Sequence, residues 1–112
     1  MSAHIFEGAK YEPHPVFEGV FVKHFYNGED TGRLNDFEIT IVPGFEIKTH
    51  KHENTAEFFY VVSGKGEFLD ETEWKPISAG NAMMAPVGMT HAIKNTGEDP
   101  LKIFACYSPA IR

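Results

Sequence analysis

A single cysteine, Cys106, in 112 residues excludes an intramolecular disulfide. It sits in the alternating stretch Leu101–Tyr107, where the expected reading is a buried, inert thiol. No apolar run approaches the ~18–20 residues that a membrane span needs. The opening Met1-Ser2-Ala3-His4-Ile5-Phe6-Glu7 lacks the basic and apolar regions of a secretory signal, so the expectation is a cytosolic protein. Positive charge is scarce: ten Lys and Arg against sixteen Asp and Glu give a net charge of −6. The basic residues form no stripe, which argues against nucleic acid as a partner. Linkers, low-complexity tracts and internal repeats are missing too, so residues 1–112 are expected to form one domain.

Helical periodicity is also missing, and strand patterns take its place. Val20–Tyr26, Phe37–Val42, Phe45–His52, Glu57–Val62 and Leu101–Tyr107 alternate with the period of two of half-buried strands. Asn27-Gly28, Pro43-Gly44, Ser63-Gly64-Lys65-Gly66, Ala79-Gly80-Asn81, Asn95-Thr96-Gly97 and Asp99-Pro100 are turn signals between them. Many short strands with such punctuation predict an all-β sandwich or closed barrel. Trp74, in Glu73-Trp74-Lys75-Pro76, is expected to be an ordinary strand residue.

Against that background four residues have chemistry to offer. His50 and His52 are two apart in an expected strand, so their imidazoles leave one face about 6.6 Å apart. The polar Glu53-Asn54-Thr55-Ala56 is turn-like, and a strand starting at Glu57 can fold back beside the first. His91 arrives from far along the chain, after the Pro86–Thr90 loop, and opens a strand over His91–Asn95. Residue chemistry alone leaves two readings open, a metal site and a set of core or surface histidines. His4, His14 and His24 have no comparable context.

The spacing resembles that of the cupin superfamily, whose two motifs are both filled. The first, within residues 44–64, runs Gly44, five residues, His50-Lys51-His52, four residues, Glu57, six residues, Gly64. The second, within residues 80–95, runs Gly80, five residues, Pro86, one residue, Gly88, two residues, His91, three residues, Asn95. The resemblance implies a double-stranded β-helix, or jelly-roll β-barrel, often dimeric, with a metal inside held by His50, His52, Glu57 and His91. It leaves the glycines and Pro86 as turn formers and Asn95 as a turn cap. Asn81, where many cupins have Asp, is expected to affect a turn and not the metal.

Three imidazoles and a carboxylate suit one divalent transition metal: iron, manganese, nickel, zinc or copper. Open positions on such an ion favour a catalytic or ligand-binding centre over a closed structural one. Lys48 shares the strand parity of His50 and His52, and Phe59 and Val61 share that of Glu57, so these three are expected to bind the ligand. Ile103, Ala105 and Tyr107 form a further inward set. Tyr26, His24 and Tyr107 are candidates for proton transfer if they face inward. The expected ligand is a small oxygen-rich molecule: a carboxylate, keto acid or sugar acid. The resemblance admits a metal-dependent dioxygenase, isomerase, epimerase or lyase, with a non-catalytic ligand-binding or sensing module as the alternative. Residues 1–36 are expected to supply N-terminal strands. Their Phe6, Tyr11, Val16, Phe17 and Phe21 would pack across a homodimer contact or cover one barrel face.

Overall fold

The computed structural model describes residues 1–112 and turns the alternating segments into ten strands and one helical turn. The strands are β1 (Glu12–Pro13), β2 (Val20–His24), β3 (Asn35–Ile41), β4 (Glu46–His50), β5 (Ala56–Ser63) and β6 (Lys65–Asp70). They continue with β7 (Glu73–Ser78), β8 (Ala82–Ala85), β9 (His91–Asn95) and β10 (Leu101–Ser108). A six-stranded sheet has the order β1-β2-β3-β10-β5-β8, and a four-stranded sheet the order β4-β9-β6-β7. All their pairings are antiparallel. No helix is long and apolar enough to cross a membrane.

The two sheets enclose the core because one parity of each strand is apolar. In β3 the buried positions are Asn35, Phe37, Ile39 and Ile41, alternating with partly exposed Asp36, Glu38 and Thr40. Val20 and Val22, Val61, and Leu101, Ile103 and Ala105 fill the same layer from β2, β5 and β10. Ile47, Phe68, Ile77 and Ile93 meet them from the facing sheet. Each large apolar side chain so buried stabilises the fold by roughly 1.5–3 kcal/mol relative to exposure. Asn95, at the end of β9, donates to the carbonyls of Ile41 and Asp99, both at 2.8 Å, and accepts from the Gly97 amide. It caps the turn as expected and also ties β9 to β3 of the opposite sheet. Asn81 likewise closes its own turn, accepting from the Ser78 amide at 2.8 Å.

Several expectations change. The Asn27-Gly28 turn is one turn of helix, α1 (Gly28–Thr31), started by a reciprocal capping box between Asn27 and Asp30. Its four residues are too few to show a helical repeat. Only Gly64 breaks the chain between β5 and β6, with φ +89° and no room for a Cβ against the Pro100 carbonyl. Gly66 lies inside β6, where a Cβ would run into the Lys94 carbonyl of β9. The fold-back of Glu57 beside the His50 strand does not occur. β5 pairs with β10 and β8 in one sheet, while β4 pairs with β9 in the other. Five residues separate β4 from β5, enough to cross between sheets. Cys106 is half-buried on the outer face of β10, because inward parity belongs to Ile103 and Ala105.

The N-terminal apolar residues divide between two faces. Phe6 packs edge-on against Phe25 and Tyr26 outside the six-stranded sheet, with ring centroids at 6.1 and 5.7 Å. Tyr11 hydrogen-bonds Glu38 of β3 and lies under the Lys23 ammonium. Phe17 instead turns inward onto the core, while Val16 is exposed. Trp74 is a β7 residue on the outside of the smaller sheet, with the Lys94 ammonium 4.0 Å from its ring centre.

Candidate metal centre

The site is assembled from the ends of three strands and one loop. His50 is the last residue of β4, His91 the first of β9, and the two are cross-strand partners with ring centroids 4.3 Å apart. His52 lies just past β4, not within it, on the crossing to the other sheet. The Gly88 amide holds this crossing by donating to the His52 carbonyl at 2.8 Å, from a φ of +81° that favours glycine. Glu57 comes from β5 in the opposite sheet and is 3% exposed, a burial a carboxylate tolerates only with strong partners. One potential ligand atom from each of these four residues lies within 4.8 Å of the others.

Two of the imidazoles are fixed in tautomer. His50 Nδ1 is 2.7 Å from the Lys48 carbonyl, and His91 Nδ1 is 3.0 Å from the Met89 carbonyl. A carbonyl only accepts, so each Nδ1 carries the proton and each Nε2 is left to face the centre. Such backbone anchoring is the usual outer support of a metal-bound histidine. His91 Nε2 and His52 Nε2 both lie 3.2 Å from the same Glu57 oxygen. His52 Nε2 is buried there without a hydrogen bond. Lone pairs facing a carboxylate need positive charge between them. A proton on His91 satisfies one contact, whereas a divalent ion satisfies every inward donor atom at once. The donor set therefore fits a metal.

The same contacts shift the protonation of Glu57, His91 and His50. Burial alone would raise the Glu57 carboxyl, but the His52 and His91 imidazoles outweigh it and hold it below the usual carboxylate range. Burial alone would lower His91, yet its bonds to Glu57 and the Met89 carbonyl leave it above the ordinary imidazole value. His50 stays below that value, chiefly through burial.

The centre opens into a cavity of about 620 Å³, bounded by both sheets and by the Glu12–Phe17 segment. Phe59 lines it, as expected. Val61 shares that parity but lies deeper, fully buried in the core and off the cavity wall. Lys48 is a correction. It is exposed and borders a separate surface recess beside Val16, Glu18 and Glu46. The register of β4 on β9 shifts between Ile47 and His50, so both of these face inward and simple parity fails for the residues between.

Tyr107 lines the cavity as the cross-strand partner of Glu57, its ring 4.8 Å from that of His52. Burial, reinforced by the Glu57 carboxylate, pushes its hydroxyl far up, so it keeps its proton. Tyr107 thus stands in the cavity as a protonated hydroxyl beside Glu57. His24 also lines the cavity, on the inward parity of Val20 and Val22. Tyr26 does not. It lies past the end of β2 and packs against His4 and Phe6. The sequence reading missed Phe37 and Ile39, which the parity of β3 would have supplied. It also missed Arg112, which carries no pattern at all.

The Cupin domain family matches the chain over residues 37–107, and the chain belongs to it. Its two antiparallel sheets are the double-stranded β-helix of that family. The oxalate-binding protein of Thermotoga maritima is 38% identical over 63 residues, covering 56% of this chain and 52% of that protein. The chain spans about half the length of the curated relatives it matches. The crystal structure of a predicted oxalate decarboxylase from Thermotoga maritima superposes with a TM-score of 0.81 at 27% identity, covering 90% and 91% of the two chains. KdgF from Halomonas sp. superposes with a TM-score of 0.79, also at 27% identity, covering 96% and 94%.

Proposed function

We propose that the chain holds one divalent transition metal through His50, His52, Glu57 and His91 and acts with it on a small oxygen-rich acid. The observation that carries this reading is the pair of backbone-anchored imidazoles, His50 and His91, turned with His52 toward one buried carboxylate. Iron, manganese, nickel, zinc and copper all suit three imidazoles and a carboxylate. When bound, such an ion polarises a carboxylate or carbonyl oxygen, or brings dioxygen into reach. The residues around it supply the rest. Tyr107 offers a proton-bearing donor beside Glu57, and Phe37, Phe59 and Ile93 exclude water from one side of the ligand. Dioxygenase, isomerase and lyase chemistry are the classes we propose, and the predicted oxalate decarboxylase supports the lyase among them.

A non-catalytic reading has its own support, since a Thermotoga maritima relative is named for oxalate binding. Elemental analysis of protein purified without a metal-affinity tag separates metal from no metal. About one ion per chain, lost in the His50→Ala, His52→Ala variant, supports the centre, and no metal in either after anaerobic reconstitution refutes it. Turnover of oxalate, keto acids or sugar acids by the loaded protein then distinguishes enzyme from binder.

We further propose a homodimer, with a second copy covering the outer face of β5, β8 and β10. The N-terminal segment covers the β2–β3 half of that sheet through Phe6 and Tyr11. Phe58, Tyr60, Val62, Met84 and Phe104 remain exposed on the other half. Lys102, near the Tyr11 ring at one end of β10, is the one charged side chain on the outer face of these three strands, so two copies of net charge −6 meet there with little repulsion.

A further inference from the structure

The cavity holds a second polar group that the metal centre does not use. His24 enters it from β2, and its Nδ1 is buried with no hydrogen-bond partner. With no acceptor in reach of the buried Nδ1, the neutral ring carries its proton on Nε2, which makes no hydrogen bond and is the free donor of His24. Arg112 lines the same cavity, and its charge acts on His24. The main chain around Arg112 is pinned. The Ile111 amide donates to Asn35 Oδ1 at 3.0 Å, and the main-chain oxygen of Arg112 accepts from the Gly28 amide at 2.8 Å. His14 also borders the cavity, its Nδ1 occupied by the amides of Val16 and Phe17. Glu12 is the one acidic side chain lining this end, exposed at the rim.

A chain of ring contacts leads from His24 to the proposed ligands. It runs from His24 to Phe37 at 6.0 Å, from Phe37 to Tyr107 at 5.0 Å, and from Tyr107 to His52 at 4.8 Å. The polar ends are thus joined by an apolar wall. We propose that His24 and Arg112 form an anion subsite that takes the far carboxylate of an acid whose other end sits at the metal centre. The guanidinium supplies charge and paired donors, and the His24 imidazole supplies a single neutral donor. The preferred ligand is a diacid, or an acid with a second oxygen function, long enough to pass Phe37 and Tyr107. The proposal rests on the metal-centre reading for one end of that ligand only.

Calorimetry on zinc-loaded protein with glutarate, and with pentanoate as a one-carboxylate control of equal chain length, tests the subsite. Charge-assisted hydrogen bonds of this kind give glutarate an advantage of roughly tenfold or more. Arg112→Gln and His24→Phe each remove the advantage while leaving zinc content and pentanoate affinity unchanged. Glu12→Gln, which removes a competing carboxylate, increases it. Equal binding of the two acids, or an advantage that survives Arg112→Gln, overturns the proposal. Ring ¹⁵N resonances of His24 report separately from the metal. A glutarate-dependent shift that disappears in Arg112→Gln supports the subsite even if zinc fails to bind, and an unmoved resonance sinks it whatever the metal content.

Discussion

Glu57 Oε1 stands 3.2 Å from His91 Nε2 although the two residues come from opposite sheets. The contact joins the sheets at one end of the core and leaves a buried carboxylate dependent on the imidazoles around it. Glu57→Gln keeps the size and shape of the side chain but removes its charge. The expected outcome is a folded barrel with metal affinity lowered by at least roughly tenfold. Without Glu57's charge, burial dominates at His91, so its value in the metal-free variant falls from above the ordinary imidazole value toward or below it. Chelator competition measures the first effect and ¹⁵N titration of the histidines the second. Unchanged metal affinity would remove Glu57 from the ligand set.

Asn95 presents a structural test away from the metal. Its side chain is 5% exposed and makes three hydrogen bonds, to Ile41, Asp99 and Gly97. Asn95→Ala leaves the buried Ile41 carbonyl without this side-chain donor and unties the turn before Pro100. A loss of about 2–4 kcal/mol in unfolding free energy is expected. Chemical denaturation of the metal-free protein measures it, and a change below about 0.5 kcal/mol would show that water replaces the side chain.

Most of the strands were legible in the sequence because their inward faces are largely apolar. Within the expected Phe37–Val42 the alternation is clean through Ile41, and within Leu101–Tyr107 the structure buries the expected Ile103 and Ala105 although Phe104 and Cys106 between and beside them are apolar too. The four residues of the candidate metal centre were legible as a spacing, yet the route that brings them together was not. His50 to Glu57 resembles a hairpin locally, and only the pairing of β5 with β10, more than 40 residues on, places them on facing sheets. Lys48 failed because a register shift leaves no mark in hydrophobic parity. Arg112 failed for a different reason: its place at the cavity depends on hydrogen bonds to Gly28 and Asn35, which are long-range in sequence.

Cys106 offers a pH-dependent test outside the ligand set. Burial raises its thiol first, and the carboxylates of Asp36 and Glu57 add to the effect. Less thiolate is present at any given pH than at an exposed cysteine, for which the midpoint is about 8.5. Since the folded value is raised, the stabilising contribution is complete below the ordinary value and declines as pH climbs through the folded one. Alkylation by iodoacetamide is therefore expected to be slower at pH 8 than for a free thiol, with an inflection shifted upward. A rate matching free cysteine, with an unshifted inflection, would contradict the half-buried placement.

The proposed dimer makes the last prediction. Phe58 faces both Met84 and Cys106 across β5's two neighbours, and Tyr60 faces Ala82 and Phe104. Their side chains therefore form one continuous patch, and the five large residues are each 39–49% exposed. A continuous apolar patch on a soluble domain marks an interaction surface more often than scattered exposed residues do. A charge at its centre should be costly when two copies meet and nearly neutral in one copy alone. Tyr60→Glu is accordingly expected to convert a dimer into a monomer in sedimentation equilibrium while leaving metal content and unfolding of the single chain nearly unchanged. A wild-type chain that sediments as a monomer at micromolar concentration removes the second copy as the occupant. A variant that remains dimeric places the contact elsewhere, with the exposed Val16 end of the N-terminal segment as the next surface to test.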